Sequence, residues 1–289
     1  MVSLRRWIQI GTTALTNGYV AGFLKGKIYT GEWKKYCVPG LNCYSCPGAL
    51  GACPIGSLQA VISSRNLNFS FYVAGFLMLV GAVFGRFVCG WLCPFGLLQD
   101  LLYKIPFVRK LRRLPGEKLL RVLKYGVLGG FVILLPMLAV DLIGQGSPWF
   151  CKYICPSGTF MAGIPLGIAN PQLRASLGGL FAWKLAILLG LVVLSVIVYR
   201  PFCRYLCPLG AIYGLFHPIA FYRYQIDESR CTSCGKCQKV CKMDLAVWKN
   251  PNSRECIRCG DCIRSCPHQA LSRKTFVQRR NNLCKWDKE

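Results

Sequence analysis

Acidic residues are scarce in this chain. Asp and Glu together number 11 of 289 residues against 36 Lys and Arg, and charged residues of both signs make up only 16%. A soluble domain of this length carries about a quarter charged residues, so the shortage argues against an ordinary water-exposed surface. Histidine is scarcer still: His217 and His268 are the two in the sequence. Both follow the last apolar stretch, so they cannot supply the paired, stacked ligation of a membrane haem. No nucleotide-binding loop and no hydrolytic constellation is present. What the chain has instead is apolar residues, 53% with a mean hydropathy of +0.37, and 19 cysteines. Tight, repetitive cysteine spacing favours metal over a disulfide framework.

Four stretches approach the ~20 apolar residues that a bilayer-spanning helix needs. They run over about residues 7–24, 69–87, 122–143 and 180–198. Thr12, Thr13, Thr16 and Asn17 dilute the first, for which a buried helix of a soluble core is the alternative. No small-residue cleavage site follows it, so an uncleaved anchor is expected. Basic residues sort by loop. Lys104, Arg109, Lys110, Arg112, Arg113, Lys118, Arg121 and Lys124 lie between the second and third stretches, and residues 200–280 are basic again. Between the third and fourth stand only Lys152 and Arg174, while Lys25, Lys27, Lys34, Lys35 and Arg65 run against the trend. The bias predicts a multi-pass protein of a bacterial or archaeal cytoplasmic membrane with both termini cytoplasmic. The net charge of +25 is then a matter of topology and lipid contact, and nucleic acid is not required as a partner.

In the tail, Cys231-Thr-Ser-Cys234-Gly-Lys-Cys237-Gln-Lys-Val-Cys241 is repeated as Cys256-Ile-Arg-Cys259-Gly-Asp-Cys262-Ile-Arg-Ser-Cys266-Pro267. This spacing, used twice, is the ferredoxin signature for two [4Fe–4S] clusters, in which the fourth cysteine of each run reaches the other cluster. Cys231, Cys234, Cys237 and Cys266 are expected at one cluster and Cys241, Cys256, Cys259 and Cys262 at the other. Zinc is the alternative for the same thiols. Lys242 stands where proline is usual.

A second motif recurs at the ends of the apolar stretches: Cys89-x3-Cys93-Pro94, Cys151-x3-Cys155-Pro156 and Cys203-x3-Cys207-Pro208, with an altered copy at Cys53-Pro54 where Ala49 replaces the first cysteine. Proline suits the first position of a helix, where no amide donor is needed. Each second cysteine therefore caps the positive end of a helix dipole, which favours thiolate and an anionic cluster. One pair supplies two ligands, so two pairs must converge. Cys89, Cys93, Cys203 and Cys207 fall on the cytoplasmic side and are expected to share an inner cluster. Cys37, Cys43, Cys46, Cys53, Cys151 and Cys155 form an outer set, enough for one cluster with two thiols over or for two clusters with a non-cysteine ligand. A disulfide is the competing reading there. His217 is a candidate quinone contact or an interfacial side chain, Asp141 a proton carrier or an interfacial acid, Arg86 and Lys184 snorkelling cations or counter-charges to a cluster, and Cys284 an inert thiol.

The chain is expected to be mainly α: a four-helix polytopic membrane core with re-entrant or interfacial Cys-Pro helices over residues 1–224. A small α+β two-cluster ferredoxin domain follows over 225–273, and a basic tail over 274–289. Residues 69–272 resemble the membrane iron–sulfur group that contains NapH-type quinol dehydrogenases, the membrane part of NosR-type regulators and CcoG-type proteins. That resemblance implies electron transfer through [4Fe–4S] clusters between a cytoplasmic donor, ferredoxin-like or flavin-bearing, or the quinone pool, and an extracytoplasmic or membrane acceptor. It also implies partner subunits of a membrane redox complex. A quinol dehydrogenase subunit and an electron donor for metal-centre assembly are the alternatives. The outer cysteines depart from the simplest members of the group, and no flavin-attachment sequence is present.

Overall fold

The computed structural model describes residues 4–64, 67–106, 109–139 and 146–274. Arg65, Asp141, Cys284 and nearly all of the expected basic tail lie outside them. The described chain is mainly helical, with one two-stranded antiparallel sheet that pairs Arg223–Ile226 with Leu271–Lys274 and closes the cysteine-rich tail on itself.

Two helices, Glu117–Leu138 and Gly179–Ile197, are long and apolar enough to cross a membrane, and a third apolar helix, Phe71–Phe84, is shorter. Their large side chains face outward: Leu79, Leu134, Leu138, Leu189 and Val193 are each more than half exposed. Glu117–Leu138 widens to π winding over Leu128–Leu134 before Pro136, because proline has no amide to donate to the regular ladder.

The first expected span is not one helix. Leu4–Thr16 ends where Asn17 and Gly18 leave helical geometry, and a short helix, Val20–Lys25, follows. Thr12, Thr13 and Thr16 each turn their hydroxyl back to the carbonyl four residues earlier, a bond that satisfies the side chain but weakens the helix. At 13 residues it reaches about 20 Å, short of a ~30 Å hydrocarbon core. It packs instead on the helix Pro94–Leu102.

The tail carries its sequence repeat into the backbone. Ser233 and Arg258, Gly235 and Gly260, and Asp244 and Gln269 occupy left-handed conformations at matching places in the two cysteine runs. The turn after Cys241 closes through the Asp244 amide to the Cys241 carbonyl, as the Gln269 amide closes on Cys266, so Lys242 does the work of the usual proline.

Candidate metal centres

Each Cys-x3-Cys-Pro pair makes the same local turn. The amides of Cys93, Cys155 and Cys207 all donate to the carbonyl five residues back. Each cysteine is then an extended cap, with proline opening the next helix. The spacing thus places both thiols of a pair on one side of a helix start.

In the inner site the pairs Cys89/Cys93 and Cys203/Cys207 are buried together. Burial raises the Cys93 thiol to about 12, with Cys203 and Cys89 adding to it, and burial followed by Cys203 and Cys89 raises Cys207 as well. Buried thiols of this kind become ligands when a metal displaces their protons. The surroundings have a pseudo-two-fold pattern. Arg86, three residues before Cys89, donates across to the Cys203 carbonyl (2.8 Å), and Arg200, three before Cys203, donates across to the Cys89 carbonyl. Both guanidiniums are fully buried. Arg86 pairs with Glu255 (2.7 Å), which also holds Lys124; Arg200 pairs with Asp100 (2.6 Å), which also holds Arg5. Two buried cations share each acid, so each group carries net positive charge beside the thiols. Burial works against ionisation of Asp100 and Glu255, and the flanking cations more than offset it, holding both carboxyls below their usual range.

Gln99 completes the inner cage. Its Oε1 accepts from the Phe202 amide (3.1 Å) while its Nε2 donates to Cys203 Sγ (3.2 Å). One side chain therefore joins the Pro94 helix to the opposite pair and directs a donor at a ligand sulfur.

In the tail, two cavities match the two expected sets. One is lined by Cys231, Cys234, Cys237 and Cys266. The other is lined by Cys241, Cys256, Cys259 and Cys262 together with Tyr199 and Ile257. The chain path thus brings Cys266 of the second run to the cysteines of the first, and Cys241 of the first to those of the second. All eighteen described cysteines are unpaired thiols.

A 4Fe-4S binding domain model, Fer4_5, matches residues 69–115, 128–165 and 180–220, each stretch holding one Cys-x3-Cys-Pro pair. A second 4Fe-4S binding domain model, Fer4, matches 224–244 and 251–272, the two tail runs. The Methanocaldococcus jannaschii protein MJ0750 is 30% identical over 199 residues, 68% of this chain and 75% of that protein. The ferredoxin-type protein NapH of Haemophilus influenzae is 27% identical over 215 residues, 70% of this chain and 67% of that protein. The regulatory protein NosR of Pseudomonas aeruginosa is 29% identical over 192 residues, but these are only 24% of its length.

The chain belongs to this ferredoxin-type 4Fe-4S family.

No solved structure matches it. In this chain the two Fer4-matched tail runs follow the three Cys-x3-Cys-Pro pairs, and the structure shows how the two parts meet. A Cβ on Gly90 would overlap the Ile257 carbonyl oxygen, so glycine is what lets the second tail run lie against the Cys89 turn. Trp91 Nε1 donates to the Arg258 carbonyl (3.0 Å), Arg86 to the Arg254 carbonyl (3.0 Å), and Arg258 to the carbonyls of Phe84 and His217. Gly90, Trp91, Gln99 and Arg200 carry much of this construction, and sequence reading did not single them out.

The outer cysteines do not all meet. Cys43, Cys53, Cys151 and Cys155 share one locality: burial first, then Cys43 and Cys53, push Cys155 up to about 12, and Cys151 rises through burial and then Cys155, Cys53 and Cys43. Cys46 adjoins Cys43, whose charge acts on it, but its thiol has another neighbour. The Cys46 thiol faces the Asn17 side-chain oxygen at 3.7 Å, and Cys37 lies beside the Ser57 hydroxyl. Nor is the outer loop a bilayer away from the inner pair. A Cβ on Gly40 would stand 3.1 Å from Cys93 Cα, and Tyr213 donates its hydroxyl to the Pro39 carbonyl (3.0 Å).

His217 is fully buried, its Nδ1 accepts the Arg86 amide (3.1 Å), and its carbonyl accepts from Arg258. Burial, with Arg258 and Arg86 beside it, lowers its pKa to about 2, so the ring is neutral, and its Nε2 has no hydrogen-bond partner among the described residues. Arg86 and Lys184 both donate to a carbonyl of a Cys-x3-Cys-Pro pair, Arg86 to that of Cys203 and Lys184 to that of Cys151 (3.1 Å).

Proposed function

We propose that the protein is a membrane-bound electron-transfer protein of a larger redox complex, receiving electrons at its ferredoxin face and passing them inward to an acceptor in or beyond the membrane. The observation that carries this reading is the direct seating of the second tail run on the inner cysteine pair, through Gly90 against Ile257 and Trp91 against Arg258.

The donor sets fit [4Fe–4S] clusters: Cys231, Cys234, Cys237 and Cys266 for the outermost, Cys241, Cys256, Cys259 and Cys262 for the next, and Cys89, Cys93, Cys203 and Cys207 for the inner one. When bound, such clusters supply one-electron redox chemistry at potentials set by hydrogen bonds, charge and exposure. The chain supplies the rest. Cys234 is exposed and Arg230, Lys236 and Lys239 surround its cavity rim or helix in the open, which suits docking of an acidic donor protein. The second cavity is lined by the apolar or aromatic side chains of Tyr199, Met243 and Ile257 as well as by its cysteines. Arg86 and Arg200 hold positive charge against the inner thiols, and Gln99 fixes one of them. The outward apolar faces of Glu117–Leu138 and Gly179–Ile197 support seating in a bilayer, with the tail on the basic, cytoplasmic side.

Iron and acid-labile sulfide counted on protein purified without oxygen in mild detergent test the reading. At least about twelve irons per chain are expected, four per cluster. Cys203→Ser should lose about four and keep the irons of the tail. About eight irons in the wild type, unchanged by Cys203→Ser, would leave only the tail and refute the inner route.

A further inference from the structure

The outer thiols stand in a cage that repeats the inner one part for part. Residues 53–59 read Cys-Pro-Ile-Gly-Ser-Leu-Gln and residues 93–99 read Cys-Pro-Phe-Gly-Leu-Leu-Gln. Gln59 does at the outer site what Gln99 does at the inner. Its Oε1 accepts from the Phe150 amide (3.0 Å), the residue before Cys151, and its Nε2 donates to Cys151 Sγ (3.2 Å). Both glutamines are buried and both anchor Nε2 on the carbonyl four residues earlier. The counter-charges repeat as well. Lys184 donates to the Cys151 carbonyl as Arg86 does to Cys203, and buried Lys34 donates to the Ala49 carbonyl (2.7 Å) as Arg200 does to Cys89. Ala49 therefore occupies the place of Cys89, and the cage lacks a thiol there. Cys43 supplies one: its Sγ stands 3.8 Å from where a Cβ on Gly158 would be, next to Lys184 Nζ at 3.9 Å, while Cys151 Sγ lies 3.9 Å from the corresponding point of Gly56.

We propose that Cys43, Cys53, Cys151 and Cys155 hold a further [4Fe–4S] cluster, and that Cys37 and Cys46 are not ligands. A donor aimed at a ligand sulfur and cations on both first-position carbonyls are what an anionic cluster calls for. An apolar disulfide site needs neither. The inference rests on the proposed electron-transfer function and extends it by one station. The loop 39–43 that carries Cys43 also touches Cys93 and Tyr213, so the new site adjoins the inner one.

The test counts iron and sulfide on the full chain, purified without oxygen, and records EPR of the dithionite-reduced sample. The wild type is expected to hold about sixteen irons, four per cluster. Cys43→Ser and Cys151→Ser each lose about four and keep the inner and tail signals, while Cys37→Ser and Cys46→Ser lose none. About twelve irons in the wild type, or an equal loss from Cys37→Ser or Cys46→Ser, overturns the proposal and leaves the inner site intact. About eight would remove the inner site too, and with it the function above. Should the serine variants misfold, Gln59→Ala answers separately. It is expected to keep all irons and shift the midpoint of one signal that Gln99→Ala does not move; a shift of the same signal by both, or of none by Gln59→Ala, contradicts the assignment.

Discussion

Gln99 shows how one uncharged side chain sets the character of a metal site. Its Nε2 is a neutral side-chain donor to an inner thiol, 3.2 Å from Cys203 Sγ, and a donor favours the state in which the sulfur carries more negative charge, the reduced one. Gln99→Ala should therefore keep the inner irons and lower the midpoint potential. The shift expected is roughly 60 mV, the one-electron equivalent of the ~1.4 kcal/mol that a hydrogen bond to a charged group contributes. A redox titration followed by EPR reads it; an unchanged midpoint with full iron would remove Gln99 from the account. Cysteine ligands could be read from the sequence because the spacing of a cluster motif is local. The glutamines could not. Each works across a gap between segments far apart in the chain, and the one sequence sign of them is the shared Cys-Pro-x-Gly-x-Leu-Gln string. The burial of His217 was hidden for the same reason: its position after the Pro208–Phe216 helix does not show that Arg86 and Arg258 fold over it.

At the scale of elements, the repeated unit is a turn and a helix, and what differs between copies is what packs on it. The Cys89 turn takes the tail because Gly90 has no side chain. Gly90→Val would press into the Ile257 carbonyl, with an overpacking cost of about 1–3 kcal/mol. The expected result is a tail that keeps its own irons but is cleaved faster by protease in the segment leading to Arg223–Ile226; wild-type cleavage rates would show that the contact is not what seats it. Arg200 pays for its place with a left-handed backbone (φ 49°), held by Asp100 and by the Cys89 carbonyl. Helix existence followed from the apolar runs, with Gly179–Ile197 close to the expected 180–198. The first run failed because hydroxyl and amide side chains at 12–17 offered the backbone other partners, and Glu117–Leu138 began earlier than its apolar core since Glu117 and Arg121 pair with each other and with Tyr205 and the Met243 carbonyl.

Across the whole molecule, cysteines run from an exposed rim at Cys234 to the buried thiols at Cys89, Cys93, Cys203 and Cys207. Tyr199 and Ile257 line the second tail cavity, and Arg86 and Arg200 flank the inner thiols. The cysteine spacing alone pointed to iron–sulfur sites, and two apolar helices agree with the expected membrane seat. The spacing did not tell that tail and membrane part are interlocked, because that depends on contacts between residues more than 150 positions apart, such as Trp91 with Arg258. The central claim is that tail and inner site form one connected path. It is tested most directly by EPR of the fully reduced protein, comparing wild type with Cys203→Ser. The account predicts broadened, fast-relaxing tail signals in the wild type, from spin coupling to a neighbouring inner cluster, and sharp, independent ones in the variant. Identical tail signals in both, with the inner irons present in the wild type, would contradict it.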